Sequence, residues 1–476
     1  MKKLKLIALS LIIGLTVTNC FEDLDDNLIA SSEINDFVWK AMNIYYLYKD
    51  NVPDLADDRF STNEEYASYL NGFPLPEDLF QSLRFQPQTV DRFSVITSNY
   101  FDLQQQLAGT TLNNGLEFNF YLEPGSDTNV FGVIRLVLKN SVADGLNLQR
   151  GQIISGIDGT ELTTANFSSL AAQTSYTLNF ADYNTNGTPQ TEDDTIVANG
   201  ESVSLTKEAY TENPVHLVDV FNVGGETIGY LVYNGFNSNF NNQLNDAFGQ
   251  LQASNVGHLV LDLRYNPGGS VNTASLLASM ITGQFEGEVF SKLFYNSTLE
   301  SNNTNYPFTN SFNGNTINSL NLSKVYVLTT SRSASASELV INSLKPYVEV
   351  VQIGDFTTGK TQASTLLYDS PNFGPEDINP NHTYALLPLI ADSTNKNDEL
   401  VPADGLEPTI SLIESPSNFG TLGDLNEPLL AAAIEDITGT PGRAALQAAY
   451  PLVDVTSELS PSLIENRMFV DINESN

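Results

Sequence analysis

The stretch from Lys324 to Lys360, KVYVLTTSRSASASELVINSLKPYVEVVQIGDFTTGK, restricts what this chain can fold into more than any other. Val325 to Thr330 is a short β-rich apolar run that stops at a small polar cluster, Ser331 to Ser337. From Ala336 the spacing turns helical, with Ala336, Leu339, Val340 and Leu344 on one face. Pro346 closes that helix, and Val348 to Ile353 reads as the next strand. A serine at such a strand-to-helix turn stands at a helix N-terminus. Free N–H groups and the positive end of the dipole gather there and suit a developing oxyanion.

A serine hydroxyl is a poor nucleophile until a base takes its proton. Histidine is the usual base, and the chain has three, His216, His258 and His382, none in a segment expected beside this turn. His258 reads as a structural residue at the start of its strand. Lys360 follows Gly359 just after the next strand. A free lysine titrates at about 10.4, so it serves as a base only where desolvation lowers it by several units. The bland alternative is a Ser/Ala-rich helix cap followed by an ordinary surface lysine.

SASASE followed one strand later by Gly-Lys resembles the tail-specific, or C-terminal-processing, serine peptidases. The resemblance implies Ser335 as nucleophile and Lys360, 25 residues on, as its general base. That family often carries a glutamine four residues after the lysine. Ser364 stands there, and Gln362, two residues after Lys360, is the candidate third member. Asp262-Leu263-Arg264-Tyr265-Asn266-Pro267-Gly268-Gly269 resembles the family's LRxNPGG element, which supplies part of the oxyanion hole. By the resemblance, Gly268 or Gly269 is paired with the N–H of Ala336. A double glycine lets the backbone approach a ligand closely. Asp404-Gly405-Leu406-Glu407-Pro408 and a helix from Asn426 to Ile437 complete the family's C-terminal pattern.

A length of 476 residues accommodates two or three domains, and 41% hydrophobic content with 10% aromatics is globular. Against 57 acidic residues stand 21 basic ones, a formal net charge of −36. Such a surface repels nucleic acid and anionic lipid, which sets both aside as partners. Protein or peptide substrates remain, with membrane contact expected only through an N-terminal lipid anchor. Lys2, Lys3 and Lys5 precede an apolar run, Leu6 to Val17, too short to span a bilayer. Val17-Thr18-Asn19-Cys20 resembles a bacterial lipobox and implies lipidation at Cys20. Cys20 is the only cysteine, so no intramolecular disulfide forms. An ordinary cleaved signal peptide is the alternative. FEDLDD after Cys20 resembles a surface-export tag of some outer-membrane lipoproteins, or is a plain charged linker. The expected location is the bacterial outer membrane, on its periplasmic face or the cell surface.

The chain divides into a lipoprotein signal peptide (1–20), an acidic tether (21–33), an N-terminal helical domain (34–99), a β-rich PDZ-like domain (100–210), a serine peptidase core (211–440) and a C-terminal tail (441–476). Phe37, Ala41, Ile44 and Leu47 recur at helical spacing, and dense aromatics there read as core. Gly115-Leu116-Glu117-Phe118 resembles the carboxylate-binding loop of PDZ domains, and the segments at Ser141–Leu146, Gly151–Ile154 and Ile157–Gly159 follow the PDZ order. Peptide capture by strand addition is what this implies. A β domain with glycine turns and no groove is the alternative. From His216 to about Gly439 strands and helices alternate, which predicts a crossover α/β sheet. Gln284 to Ser323 reads as an insertion with hairpin character.

Asp182-Tyr183-Asn184-Thr185-Asn186-Gly187, with Asp193 at the twelfth position, has the oxygen-ligand spacing of a calcium loop. Its flanks read as strands, so a long acidic hairpin loop is preferred over a structural calcium site. No cofactor is expected to be required. The resulting expectation is a serine endopeptidase acting through a Ser-Lys dyad on unfolded or C-terminal protein segments. Its rivals are a catalytically silent peptide-binding surface lipoprotein of the same fold and a calcium-stabilised adhesive domain.

Overall fold

The computed structural model describes residues 31–188, 190–414, 416–417, 419–439, 452–456 and 468–470. The leader, Cys20 and the tether as far as residue 30 lie outside the described residues.

Helices α1 (Ser31–Tyr45), α2 (Asn63–Leu70) and α3 (Pro76–Ser82) open the structure. Phe37 and Ala41 from the predicted stripe, with Val38, pack with Leu79 and Phe80 of α3, whereas Ile44 is only half-buried and Leu47 lies beyond the helix. The cluster closes over Leu367 and Leu386, more than 250 residues away in sequence. A short strand, β1 (Val95–Thr97), pairs antiparallel with Ala385–Leu387. The helical unit therefore shares a core with the α/β unit.

The next unit is an antiparallel sheet in chain order: β2 (Leu116–Leu122), β3 (Val130–Val137), β4 (Ile153–Ile157), β5 (Ser175–Asn184) and β6 (Thr195–Thr206). Phe118, Phe120, Ile134, Ile154, Phe167 and Leu178 form its core. The acidic loop between β5 and β6 is a hairpin connection, as its flanks predict.

The third unit begins with the hairpin β7 (Val215–Val223) and β8 (Glu226–Tyr233), and α4 (Asn241–Ala253) crosses to β9 (His258–Asp262). Two-residue β10 (Gly269–Ser270) leads into α5 (Val271–Thr282), then the hairpin β11 (Val289–Tyr295) and β12 (Thr304–Pro307). The central run follows as β13 (Lys324–Thr329), α6 (Ala336–Leu344) and β14 (Glu349–Gly354). After it come β15 (Gln362–Ser364), β16 (Ala385–Leu387), β17 (Leu389–Thr394), β18 (Ile410–Ser411) and α7 (Pro428–Thr438).

The main sheet runs β7-β8-β9-β13-β14-β18, parallel except for β7. One face, with Leu231, Leu259, Leu261, Val325 and Val327, packs under α4, α5 and α6. The other, with Tyr230, Val260, Tyr326, Leu328 and Ile353, packs on Leu429, Leu430 and Ala433 of α7. Burial on both faces explains why these strands read as continuous apolar runs without alternation.

A second sheet, β10-β19-β15-β17-β11-β12, stands beside the first, and its β19 (Met468–Phe469) comes from the tail. Gln284–Ser323 is thus more than an insertion, because its hairpin completes this sheet through β17. Residues 452–456, the other described part of the tail, lie along β2. The described tail is built into two sheets, a placement with no local signature in its sequence. Among the described residues no helix is long and apolar enough to cross a membrane.

Candidate active site

β9 and β13 are adjacent and parallel, with Asp262 opposite Leu328, so the turns that follow them emerge at one end of the sheet. Ligands of open α/β sheets bind at this carboxyl end. The turn after β9 carries Asn266 to Gly269, and the turn after β13 carries Ser335 at the mouth of α6. The two are tied: Asn266 O accepts from Ala334 N at 3.1 Å and from Ser337 Oγ at 3.0 Å.

Ser335 has φ +61° and ψ −109°, a conformation that side chains rarely adopt and that costs about 1–3 kcal/mol. Glu338, one turn into α6 and buried, holds it there. Its Oε2 accepts from Ser335 N at 2.7 Å and Lys360 N at 3.0 Å. Its Oε1 accepts from Thr357 Oγ1 at 2.6 Å and Gly359 N at 2.7 Å. Burial pushes the Glu338 carboxyl above its ordinary range, and these four donors oppose that rise. One carboxylate thereby joins the serine turn to the lysine loop. Sequence reading passed Glu338 over, although a Glu three residues after an N-cap serine is the capping-box spacing.

Lys360 returns from the end of β14 with its Nζ 3.4 Å from Ser335 Oγ, and neither residue is exposed. Nζ also donates to the main-chain carbonyl of Gln362. The Gln362 side chain turns instead to Thr361 Oγ1 (2.8 Å) and Asp392 Oδ1 (3.2 Å). The candidate third member thus meets the lysine through its backbone, because β-strand alternation sends its amide to the neighbouring strand β17. Ser364 is buried, and its Oγ has no hydrogen-bond partner among the described residues. The helical unit walls the site as well: Lys360 Nζ lies 5.5 Å from the Phe93 ring centre, and Arg92 Nη2 donates to Gly359 O at 3.0 Å.

Gly268 and Gly269 have φ of +110° and +133°. A side chain at Gly269 would stand 2.2 Å from Phe236 O, so glycine is required there. The Gly268 N–H donates to Asn266 Oδ1 at 2.9 Å. Of the two glycines that the sequence left open, Gly268 has its amide engaged by its own loop. Ala336 is the first residue of α6, where helix geometry gives the N–H no partner within the helix.

Beneath this loop Arg264 is fully buried among three carboxylates, Asp262 (2.8 Å), Glu427 (2.6 Å) and Glu414 (2.9 Å). Arg150, from the β unit, reaches the same Glu414 at 2.5 Å. The network fastens the second unit to the loop that faces the serine.

The Gly115–Phe118 loop does not present the amides expected of a carboxylate cradle. Gly115 N donates to Asn113 Oδ1 at 2.8 Å and Leu116 N to Asn114 Oδ1 at 3.1 Å. Glu117 pairs with Arg135 at 3.1 Å, and the Phe118 carbonyl accepts from the same guanidinium. Two asparagines preceding the glycine close Asx turns over the loop. The acidic hairpin loop likewise satisfies itself, with Thr188 Oγ1 on Asp193 Oδ1 (2.7 Å) and Asn199 Nδ2 on Asp182 Oδ1 (3.1 Å). The two candidate ligands are thus each engaged by a neighbouring side chain. Among the described residues no group of three or more acidic, His or Cys side chains gathers as a metal site. The histidines stand elsewhere: His258 pairs with Glu226 (3.1 Å), His382 with Asp369 (2.9 Å), and burial pushes His216 down to about 4.

Comparison with known proteins follows the same residues. A model described as Peptidase family S41 matches residues 227–410, and one described as the Peptidase S41 N-terminal domain matches 33–95. A carboxyl-terminal-processing protease of Picosynechococcus sp. is 26% identical over 268 residues, covering 56% of this chain and 58% of that protein. A chloroplastic C-terminal processing peptidase of Tetradesmus obliquus is 26% identical over 277 residues, covering 56% of this chain and 54% of that protein. The chain thus spans little more than half the length of these curated relatives. The crystal structure of a Bacteroides fragilis protein named as an S41 protease superposes with a TM-score of 0.67 at 27% identity, covering 84% of this chain and 97% of that one. With a strand-to-helix serine beside a buried lysine, and both family models on the segments that build and wall that site, the chain belongs to peptidase family S41, the C-terminal-processing serine peptidases.

Proposed function

We propose that this chain is a serine endopeptidase that cuts unfolded or C-terminal protein segments, with Ser335 as nucleophile and Lys360 as general base. The observation that carries this reading is the buried 3.4 Å approach of Lys360 Nζ to Ser335 Oγ. Oγ attacks the scissile carbonyl as its proton passes to the neutral amine of Lys360. The new oxyanion is held by the N–H of Ala336 and of Gly269, a contribution of about 3 kcal/mol per donor in comparable sites. Collapse of the tetrahedral adduct breaks the C–N bond, and Lys360 returns its proton to the leaving amine. Water, deprotonated by the same lysine, then releases the acyl group. The relatives' names, carboxyl-terminal-processing protease and C-terminal processing peptidase, support the substrate class.

In this reading the second unit is PDZ-like and presents peptide along the edge of β2, not through the Gly115–Phe118 amides. The lipobox-like Cys20 supports an exported protein lipid-anchored to the bacterial outer membrane. One observation favours the rival, catalytically silent reading: the position of the family's glutamine is Ser364, and the Gln362 amide faces Asp392. The chain lacking residues 1–20, incubated with a disordered peptide library, decides between them. Hydrolysis by the parent and none by Ser335→Ala or Lys360→Ala is the expected result. Parent-level rates in either variant would remove the dyad, and a parent that neither hydrolyses nor reacts with a covalent serine probe would leave the binder.

A further inference from the structure

Two described stretches of the tail pair with strand edges at and beside the candidate site. Residues 452–456 run antiparallel along β2, the free edge of the second unit. Leu122 N donates to Val453 O at 3.0 Å and Val455 N to Phe120 O at 2.9 Å, with Tyr121 opposite Asp454. Phe120 N donates to Thr456 Oγ1 at 2.8 Å. Val455 is buried in the cluster that holds Phe118, Phe120 and Phe167. Asp454 Oδ2 stands 3.9 Å from Arg332, three residues before Ser335.

The second stretch enters the site itself. Met468 and Phe469 run parallel between Gly269–Ser270 on one side and Ala363–Ser364 on the other. Val470 N donates to Ser364 O at 3.1 Å. One strand's width of tail therefore separates the glycine of the candidate oxyanion hole from the strand that follows Lys360. Phe469 and Val470 line a cavity of about 860 Å³ with Phe236, Ser270, Thr365 and Leu366.

Without the tail, the β2 edge and the facing edges of β10 and β15 would be rows of unpaired N–H and C=O groups. Such edges recruit an extended strand through its main chain, with side-chain pockets adding selectivity. We infer that the β2 edge and the slot between β10 and β15 are two strand-addition sites for one extended polypeptide, and that the chain's own tail fills both as a tethered competitor. This rests on the peptidase reading for what the occupant is displaced by, but the sites are defined by binding alone. Their side-chain preference follows from the occupant: a Val-sized residue against Phe118, Phe120 and Phe167, and an apolar residue at the Met468 position. Because the tail belongs to the same chain its binding is intramolecular, at an effective concentration on the order of millimolar. A tail segment with a Kd on the order of 100 μM would then weaken a peptide in trans about tenfold.

The test uses the full chain with Ser335→Ala to prevent cleavage and Cys20→Ser to remove the native thiol. The pair Tyr121→Cys and Asp454→Cys, cross-strand neighbours, lets oxidation lock the tail on β2. A second variant, Val455→Asp, releases it. The probe is a fluorescent synthetic peptide of residues 450–456, which carries only the β2-edge stretch, read by anisotropy. The disulfide is expected to close on oxidation and abolish probe binding, which reduction restores. The released variant is expected to bind the probe at least tenfold more tightly than the locked chain. Failure of the disulfide to form, or equal probe affinity with the tail locked and free, overturns the inference. If Val455→Asp does not fold, the oxidised and reduced cysteine pair decides alone. Because the readout is binding in a Ser335→Ala background, loss of the peptidase reading shows separately, as absent hydrolysis by a chain that retains Ser335 and binds the probe.

Discussion

Replacing Glu338 by glutamine tests whether one carboxylate positions Ser335 against Lys360. Four donors converge on it, three of them main-chain N–H groups, at 2.6–3.0 Å. An amide keeps a single acceptor oxygen and turns an NH2 group toward two of those donors. If that group replaces Oε2, the N–H groups of Ser335 and Lys360 both lose their partner. Hydrogen bonds to a charged group contribute about 1.5–3 kcal/mol each, so two lost bonds remove about 3–6 kcal/mol of local stability. At about 1.4 kcal/mol per decade, amide exchange through local opening quickens by roughly two to four orders of magnitude. Hydrogen-exchange mass spectrometry of peptides covering Ser335 and residues 357–361 reads this directly. Peptide hydrolysis should lose kcat more than KM, since the Oγ–Nζ approach loosens while the strand slots are untouched. Exchange within threefold of the parent at both segments, with kcat unchanged, would refute the positioning role.

At Ser335 the positive φ favours glycine, so Ser335→Gly should be more stable than Ser335→Ala by about 1 kcal/mol, although neither carries the hydroxyl. Equal denaturation midpoints would show that the turn is unstrained. Arg264→Met leaves Asp262 and Glu427 buried without their cation, while Glu414 keeps Arg150, and should cost about 3–5 kcal/mol in a denaturant titration. A loss below 1 kcal/mol would show that the carboxylates are satisfied without it. Burial and the neighbouring Glu117 push the Glu212 carboxyl up to about 8, while Asn234 donates to it at 2.9 Å. A raised folded-state value gives stability that is complete below the unfolded carboxyl range near 4.5 and is lost as pH rises through about 8. Glu212→Gln should therefore flatten the fall in melting temperature between these pH values. An unchanged pH profile in the variant would exclude Glu212 as its source.

Periodicity and turn chemistry are local, and they were legible in the chain. The helical spacing of Phe37 and Ala41 marked the face of α1 that is buried, and the apolar runs of β9 and β13 marked strands covered on both sides. The turns at Gly268–Gly269 and Ser335 announced themselves because glycines and small polar residues interrupt those runs. The spacing from Ser335 to Lys360 counted out one helix and one strand of a crossover, which brings both residues to the same end of the sheet.

What only the tertiary structure decided is non-local. That the Gln362 amide faces Asp392, and not Lys360, depends on which strand lies beside β15. That Glu338 serves residues 357, 359 and 360 as well as its own turn depends on two loops meeting across a sheet end. Asn113 and Asn114 turn back on the Gly115 loop, although the loop's own four residues look available. Most of all, nothing within residues 452–456 or 468–470 marks them as strands of sheets formed more than a hundred residues earlier. Strand addition is carried by main-chain groups that every residue possesses, so it leaves almost no trace in side-chain pattern and becomes visible only when the edges are in place.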